Sequence, residues 1–356
     1  MNLRIFTVLL SVLLAAGAGA DIPRTADGKP DLSGTYDLAT LTPLERPKEF
    51  GDNLYLTPEQ AEQATQALKD RLGKLEETKN DDPNREAPPA GGDGILAFGA
   101  GGVGGYNAFW VDRGEDSFEI DGKFRTSIIY EPENGRYPPM TPAGMQLMQQ
   151  RFGHFSKPNT GTAWWLDEGD GSGPYDNPED RTTSDRCLSG FGSTGGPPML
   201  PILYNNMKRI VQTPDHVMIL VEMVHDARII RLNSEHVSPD IRSWMGDSIG
   251  WWEGDTLVVD TTNFNDTPGL SRATRDLHVI ERFTRIDENT LLYNFTVEDP
   301  NVWTEPWSGE YPWPISDQPV YEYACHEANH AMGAILRGAR LLEREALEAR
   351  AGETAP

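Results

Sequence analysis

The chain of 356 residues carries 31 lysines and arginines against 55 aspartates and glutamates, a formal net charge of −24. A protein this acidic repels the phosphates of nucleic acids and of anionic membranes, so we expect neither as a partner. The length suits one large or two ordinary domains with a sizeable core, and after the N-terminus no apolar run is long enough to span a membrane.

The N-terminus has the three parts of a secretory signal peptide. A positive start at Arg4 precedes an apolar run over residues 5–16, and Ala18-Gly19-Ala20 offers a small-residue cleavage site before Asp21. The run is too short for a membrane span, which needs about 20 apolar residues. We therefore expect residues 1–20 to be removed and the mature protein to be periplasmic or secreted.

The first half of the mature chain predicts helices and loops. Residues 21–56 are rich in proline, glycine and charge, and predict an irregular N-terminal arm. Residues 57–205 predict a helix- and loop-rich region with some strands. One helix begins at Thr57-Pro58 and another at Thr141-Pro142, because threonine is a good N-cap and proline is tolerated at the first helical position.

Residues 206–326 predict an antiparallel β core. Three hairpins follow one another over 217–232, 249–262 and 277–298, each a pair of strand-like runs around a short polar turn. A meander of this kind protects its edges best by closing on itself. The sequence therefore predicts a mainly β fold, an antiparallel barrel-like meander of the lipocalin or calycin type, with peripheral helices, long loops and a C-terminal helix and tail over residues 327–356.

The two cysteines of the chain are Cys187 and Cys325. In an oxidising compartment a pair is most simply a disulfide, which contributes roughly 5 kcal/mol in the chain-entropy model for so long a loop. The alternatives are two buried thiols, or Cys325 as a metal ligand beside His326. A strand-like run at Val320–Ala324 leads into this cysteine.

The sharpest chemical motif is His326-Glu327-Ala328-Asn329-His330. On a helix, residues four apart share a face, so both imidazoles can bind one Zn²⁺ while Glu327 acts as general base on a metal-bound water. The third ligand position of the metzincin pattern is Leu336, which cannot bind zinc. The alternative is a helix start that carries polar residues and no metal.

An acidic loop over residues 168–179 is a second candidate metal site, for Ca²⁺. Read as an EF-hand loop, it places Gly173 at the sixth position, where a sharp turn is needed. Glutamate instead of aspartate at the first position, and two prolines, favour a solvated acidic loop instead. The candidate ligands are Glu168, Asp170, Ser172, Asp176 and Glu179.

Charged residues interrupt the apolar alternation of the predicted strands and are able to line a polar pocket. His225, Asp226 and Arg228, together with Glu327, are the candidates for acid–base chemistry. Cross-strand ion pairs on the wet face, and tryptophans that pack the barrel ends, are the alternatives. Aromatic side chains at a barrel mouth suit apolar or sugar ligands. The candidate ligand-binding residues are Trp252, Asp260, Trp244 and His278.

Five motifs together resemble a large family of exported bacterial proteins that is functionally uncharacterised. They are PDLSG at 30–34, RCL at 186–188, MVHDARII at 223–230, GWWEGDTLVVDTTNFND at 250–266 and YEYACHE at 321–327. The resemblance covers most of residues 25–340 and implies export but no established activity. It also implies that the second histidine of the zinc-like motif is incidental, because the family usually has tyrosine at the position of His330.

The sequence favours an exported protein that binds a small apolar or aromatic ligand in a barrel-like pocket, with acid–base chemistry on that ligand as an extension. One alternative is a metal-dependent hydrolase that uses His326, His330 and Glu327, with Zn²⁺ or Ca²⁺ as the metal. The other is a structural or interaction module without chemistry. The oligomeric state is not predicted.

Overall fold

The computed structural model describes residues 22–77, 112, 114–153, 161–167, 173–327 and 329–353. The predicted signal peptide lies outside these residues. So do three candidate calcium ligands, Glu168, Asp170 and Ser172.

The centre of the described chain is a ten-stranded curled sheet that forms a half-barrel. Its strand order is β1-β6-β7-β8-β9-β10-β11-β12-β13-β5, and β2-β4-β3 form a small second sheet. The predicted mainly β, barrel-like fold with a C-terminal helix is confirmed. The strands are β1 (Gly34–Asp37), β2 (Tyr55–Leu56), β3 (Glu119–Ile120), β4 (Lys123–Arg125), β5 (Ile129–Glu131), β6 (Met207–Gln212), β7 (His216–Val221), β8 (Ala227–Leu232), β9 (Asp247–Glu253), β10 (Thr256–Thr262), β11 (His278–Arg285), β12 (Thr290–Glu298) and β13 (Trp307–Pro314).

The three predicted hairpins are present as β7–β8, β9–β10 and β11–β12. Between the first and second hairpins the sheet is not a simple meander, because β8 and β9 pair in parallel over residues 230–232 and 248–250. Residues 233–246 make the connection, which we call the crossover. A parallel pair cannot be joined by a tight turn, so this long irregular connection follows from the topology.

Two further local predictions need correction, and one strand was not singled out within the predicted β core. The arm over residues 21–56 is not wholly irregular, because β1 pairs with β6 and joins the main sheet. The strand β13, which was not predicted, pairs with β12 along its whole length. The run Val320–Ala324 forms no strand and is irregular.

The inner face of the curl is filled by the protein's own side chains. Along β12, the alternate residues Leu291, Tyr293, Phe295 and Val297 are fully buried, and Trp307, Tyr311 and Trp313 pack against them from β13. Burying one such side chain contributes about 1.5–3 kcal/mol. This face is therefore the hydrophobic core, and a ligand site has to be sought outside it.

The described part of the chain has three α-helices: α1 (Pro58–Glu77), α2 (Pro142–Phe152) and α3 (His330–Glu353). The predicted N-caps of the first two are present. Thr57 accepts a hydrogen bond from the amide of Gln60, and Thr141 accepts one at 2.9 Å from the amide of Gly144. In the described part of the chain, no helix combines the length and apolar character needed to cross a membrane.

A disulfide joins Cys187 to Cys325, whose Cα atoms lie 5.7 Å apart, as predicted. It ties the irregular segment before α3 to the loop after residue 180. Because Tyr323 and its neighbours form no strand, this covalent link is a principal constraint on where the segment lies.

Candidate functional site

Arg228, a predicted acid–base residue, lies inside the curl. Its guanidinium makes a bidentate ion pair with Glu281, with Nη1–Oε1 at 3.1 Å and Nη2–Oε2 at 2.5 Å. Tyr293 donates a third hydrogen bond to Glu281 at 2.7 Å, and both charged side chains are almost completely buried. The partners of Arg228 all lie within the core. Arg228 therefore has a structural role, and its side chain is not accessible to a ligand.

A second buried cation, Lys208, was not predicted. It lies opposite Val221 on the inner face and donates a hydrogen bond at 3.4 Å to the carbonyl of Asn206. Burial lowers the pKa of its ammonium to about 7, although the carboxylates of Glu222 and Asp37 act in the opposite direction. The inner face of the sheet therefore holds a buried lysine whose pKa is near neutral.

His225 borders a surface cavity, which we call the cleft. It has a volume of about 460 Å³ and lies outside the curl, between β6–β7 and the disulfide-tethered segment. Its apolar lining comes from residues of both walls. The lining residues are Arg209, Leu220, Val221, Glu222, His225, Pro319, Val320, Tyr321 and Glu322.

Glu222 holds the two walls of the cleft together. One carboxylate oxygen accepts a hydrogen bond from the amide of Tyr321 at 3.3 Å, and the other accepts one from the amide of Met207 at 3.3 Å. The residue is almost completely buried. A buried carboxylate needs such donors, because an unpaired charge is costly to remove from water.

The backbone at His225 is strained. Val224 and His225 have φ values of 65° and 47°, in the left-handed region that β-branched residues in particular avoid. Such conformations cost about 1–3 kcal/mol each and concentrate at functional sites. They turn the chain so that Nδ1 of His225 lies 3.1 Å from the carbonyl oxygen of Tyr323.

The contact with Tyr323 fixes the tautomer of His225. A carbonyl oxygen can only accept a hydrogen bond, so Nδ1 must donate, and in the neutral ring Nε2 is then an acceptor. The neighbouring Asp226 is half-buried, and burial raises the pKa of its carboxyl group while the nearby charge of His225 lowers it. Of the predicted residues His225, Asp226 and Arg228, only His225 therefore lines the cleft.

Asp260 and His278, both predicted as ligand-binding, are in contact on the outer face of the sheet. Oδ1 of Asp260 lies 3.1 Å from Nε2 of His278 and 3.3 Å from Nε2 of His236. Nδ1 of His236 lies 2.8 Å from Asp247, and Nδ1 of His278 lies 3.7 Å from Glu298. We call these five residues the carboxylate–histidine cluster.

The cluster shifts the protonation equilibria of its members. Burial acts to raise the pKa values of Asp260 and Asp247, but hydrogen bonds from the histidines and from Arg231 outweigh it and lower both. The hydrogen bond to Asp260 raises the pKa of His278 above its ordinary value. The arrangement therefore favours ionised carboxylates and a protonated His278.

The predicted tryptophans do not join this cluster. Trp252 faces inward, is partly buried against the core, and has the ammonium of Lys29 at 5.7 Å from its ring centroid. Trp244 lies half-buried in the crossover. The four predicted ligand-binding residues thus form one contacting pair and two separate positions.

The zinc interpretation of His326 and His330 is corrected by the position of α3. The helix begins at His330, while His326 and Glu327 lie in the preceding turn, so the two imidazoles do not share a helical face. Asn329, between them, donates to the carbonyl of Asp185 at 2.7 Å. Among the residues that the structure describes, no group of three or more histidine, cysteine or acidic side chains is arranged to hold a metal ion.

The two described calcium candidates have other roles. Asp176 accepts hydrogen bonds from the amide of Gly173 at 2.6 Å and from Arg340 at 3.1 Å, so it links the loop to α3. Glu179 lies in a short 3₁₀ helix over residues 178–180. The other three candidates, Glu168, Asp170 and Ser172, lie outside the described residues.

Three members of the carboxylate–histidine cluster were not predicted from the sequence: His236, Asp247 and Glu298. His236 lies in the crossover, where no periodicity indicates the direction of a side chain. Comparison of the chain with family models, with curated proteins and with solved structures gives no match.

Proposed function

We propose that the mature chain is an exported protein that binds a small ligand in the cleft. The ligand has an apolar or aromatic body and a hydrogen-bond donor. The observation that carries the proposal is a cavity of about 460 Å³ whose wall includes a strained histidine with a fixed tautomer. Small-molecule sites have typical volumes of about 300–1,000 Å³ and combine apolar walls with a few placed polar groups.

The apolar part of the ligand would lie against both walls of the cleft. Leu220 and Val221 come from β7, and Pro319, Val320 and Tyr321 come from the opposite segment. Tyr321 is 66% exposed, which is unusual for so large an aromatic side chain and suits a ring that covers a bound molecule. Burial of such a ligand would remove this apolar surface from water.

The polar part of the ligand is chosen by an acceptor in the wall. His225 is exposed, and in its neutral form it offers Nε2 as an acceptor, because Nδ1 donates to the carbonyl of Tyr323. A hydroxyl or amine group satisfies this acceptor, whereas an ether does not. We therefore expect phenols and aryl alcohols to bind more tightly than their methyl ethers.

Saturation-transfer NMR and calorimetric titration with matched phenols and methyl ethers test this function. We expect the phenols to bind about three- to tenfold more tightly, the worth of one partly exposed hydrogen bond. Leu220→Glu should abolish binding, while Ile229→Glu, on the outer face of β8 and outside the lining, should not. Equal binding by Leu220→Glu and wild type, or no binding by any panel member, would overturn the proposal.

Export of the chain has its own test. N-terminal sequencing of protein recovered from periplasm and medium should find Asp21 as the first residue. Recovery of the chain with residues 1–20 still attached would contradict this part of the proposal. The same preparation separates periplasmic from secreted protein.

A further inference from the structure

The crossover has few apolar contacts to hold it. It connects the parallel strands β8 and β9, and all of its residues, 233–246, are half-buried or exposed. Burial of apolar side chains therefore contributes little to its attachment, and polar contacts must hold the crossover in place. These contacts divide the crossover into two halves of different chemistry.

The second half is attached by bonds that do not titrate near neutral pH. Arg242 donates to the carbonyls of Phe264 and Arg275 at 3.0 and 2.9 Å, and the amide of Ser243 donates to the carbonyl of Asn263 at 3.1 Å. An arginine remains charged at all relevant pH values, and amides do not ionise. This half should keep its position across the physiological range.

The first half is attached through His236 and Asp247 and by two bonds that do not titrate. The side-chain amide of Asn263 donates to the carbonyl of Val237 at 3.1 Å, and the backbone amide of Asn233 donates to the carbonyl of Gly250 at 2.8 Å. The imidazole lies between two carboxylates, with Asp247 2.8 Å from Nδ1 and Asp260 3.3 Å from Nε2. Asp247 also accepts from the amide of Val237 at 3.0 Å. A neutral imidazole has one N–H, so it can donate to one of the two carboxylates and must turn a lone pair toward the other. Only the imidazolium satisfies both.

Asp260 depends wholly on histidine among its described partners. Its Oδ1 is contacted by His236 and His278, whereas both oxygens of Asp247 also lie near Nη2 of Arg231, at 2.8 and 2.9 Å. When both histidines are neutral, Asp260 is a partly buried carboxylate without a cation, and only a neutral N–H, such as Nε2–H of His278, is left to donate to it. Protonation of the cluster is therefore coupled to attachment of the first half of the crossover.

We propose that the first half of the crossover, residues 233–241, is a proton-controlled latch that the imidazolium of His236 closes over Asp247 and Asp260. Deprotonation releases it from these two carboxylates. The groups that face the latch are Asp247 from β9, Asp260 from β10, His278 from β11, Glu298 from β12 and Arg231 from β8. Of the other ionisable side chains of the crossover, Glu235 and Asp240 are exposed.

Amide hydrogen exchange by mass spectrometry tests the latch in the mature protein. With rates corrected for intrinsic exchange, we expect the protection of residues 233–241 to fall about tenfold between roughly pH 5.5 and pH 8.5, the worth of one partly exposed hydrogen bond to a charged group. The peptide over residues 242–250 should change little. Equal protection of residues 233–241 at both pH values in the wild type would overturn the proposal.

Variants separate the latch from general pH effects. His236→Gln should remove the pH dependence of residues 233–241, and Asp260→Asn should remove it too. His216→Gln is the matched control, because His216 is exposed at the start of β7 and lies outside the cluster. An undiminished pH dependence in His236→Gln, or its loss in His216→Gln, would also overturn the latch. If His236→Gln does not fold, the wild-type and Asp260→Asn measurements decide the question.

Discussion

The two faces of the curled sheet both carry ionised side chains, and they hold them differently. On the inner face, Arg228 and Glu281 are 2% and 0% exposed, and a bidentate pair plus Tyr293 leaves them one arrangement. On the outer face, Asp260 and His278 are 25% and 36% exposed. They belong to the carboxylate–histidine cluster, whose side chains can gain or lose protons. The inner charges specify a structure, and the outer charges can respond to solvent.

The difference follows from the cost of removing charge from water. A buried ion is tolerated only with its partners, so the loss of one partner leaves a charge that costs several kcal/mol. A half-exposed ion keeps part of its hydration, and each of its contacts is worth less. We therefore expect substitutions on the inner face to decide whether the protein folds, and those on the outer face to alter when its parts move.

The largest effect is expected for Arg228→Met. This change leaves Glu281 buried with Tyr293 as a partner but without a cation, and should lower the free energy of unfolding by about 3–5 kcal/mol. Urea unfolding followed by tryptophan fluorescence measures it. Replacing both partners with apolar residues, Arg228→Met with Glu281→Leu, should recover most of the loss.

The control for this change lies on the same sheet. Arg282, next to Glu281 but on the outer face, pairs with Glu253, and the side chains are 44% and 49% exposed. Arg282→Met should change the free energy of unfolding by less than about 1 kcal/mol. Similar losses in Arg228→Met and Arg282→Met would show that the two faces do not differ as described.

The next effect concerns Lys208 and has a distinct pH dependence. Burial lowers its pKa to about 7 in the folded protein, against 10.5 when unfolded, so the unfolded chain binds more protons between these values. Stability should therefore rise with pH across that interval, by on the order of 2 kcal/mol between neutral pH and about pH 9.5. Lys208→Met should remove this rise, as unfolding at the two pH values would show. The same rise in the variant would contradict the assignment.

Most of the fold that could be predicted from the sequence came from the pattern of apolar and polar residues in the strands. The hairpins β7–β8, β9–β10 and β11–β12 follow from local alternation and polar turns, which need no knowledge of distant residues. In contrast, β13 contains Gly309 and two prolines, residues that strands generally avoid. Gly309 is required there because a Cβ would collide with the ring of Phe295 on β12, a contact that the sequence does not reveal.

The candidate site was predicted only in part, for a related reason. Asp260 and His278 were chosen by residue type and do lie together, but the partner that links them to the crossover, His236, comes from an irregular segment. Arg228 was chosen because it interrupts an apolar strand, and its side chain turned out to face inward with Glu281. Alternation along a strand shows on which side of the sheet a residue lies only when the register is known. The sequence therefore could not tell whether a charged strand residue faces water or the core.

The smallest effect is expected for His278→Asn on the outer face, with a pH dependence opposite to that of Lys208. The hydrogen bond to Asp260 raises the pKa of His278, so its contribution to stability is fully present below the ordinary histidine value of about 6.5 and is lost as pH rises through the folded value. The variant should be less stable than wild type by under about 1 kcal/mol near pH 5.5, because the side chains are partly exposed, and equal to it near pH 8.5. Urea unfolding at the two pH values measures this, with His216→Asn as control. A loss that is larger at the higher pH would show that His278 is held by its neutral form, and that the outer face, like the inner one, has a fixed charge state.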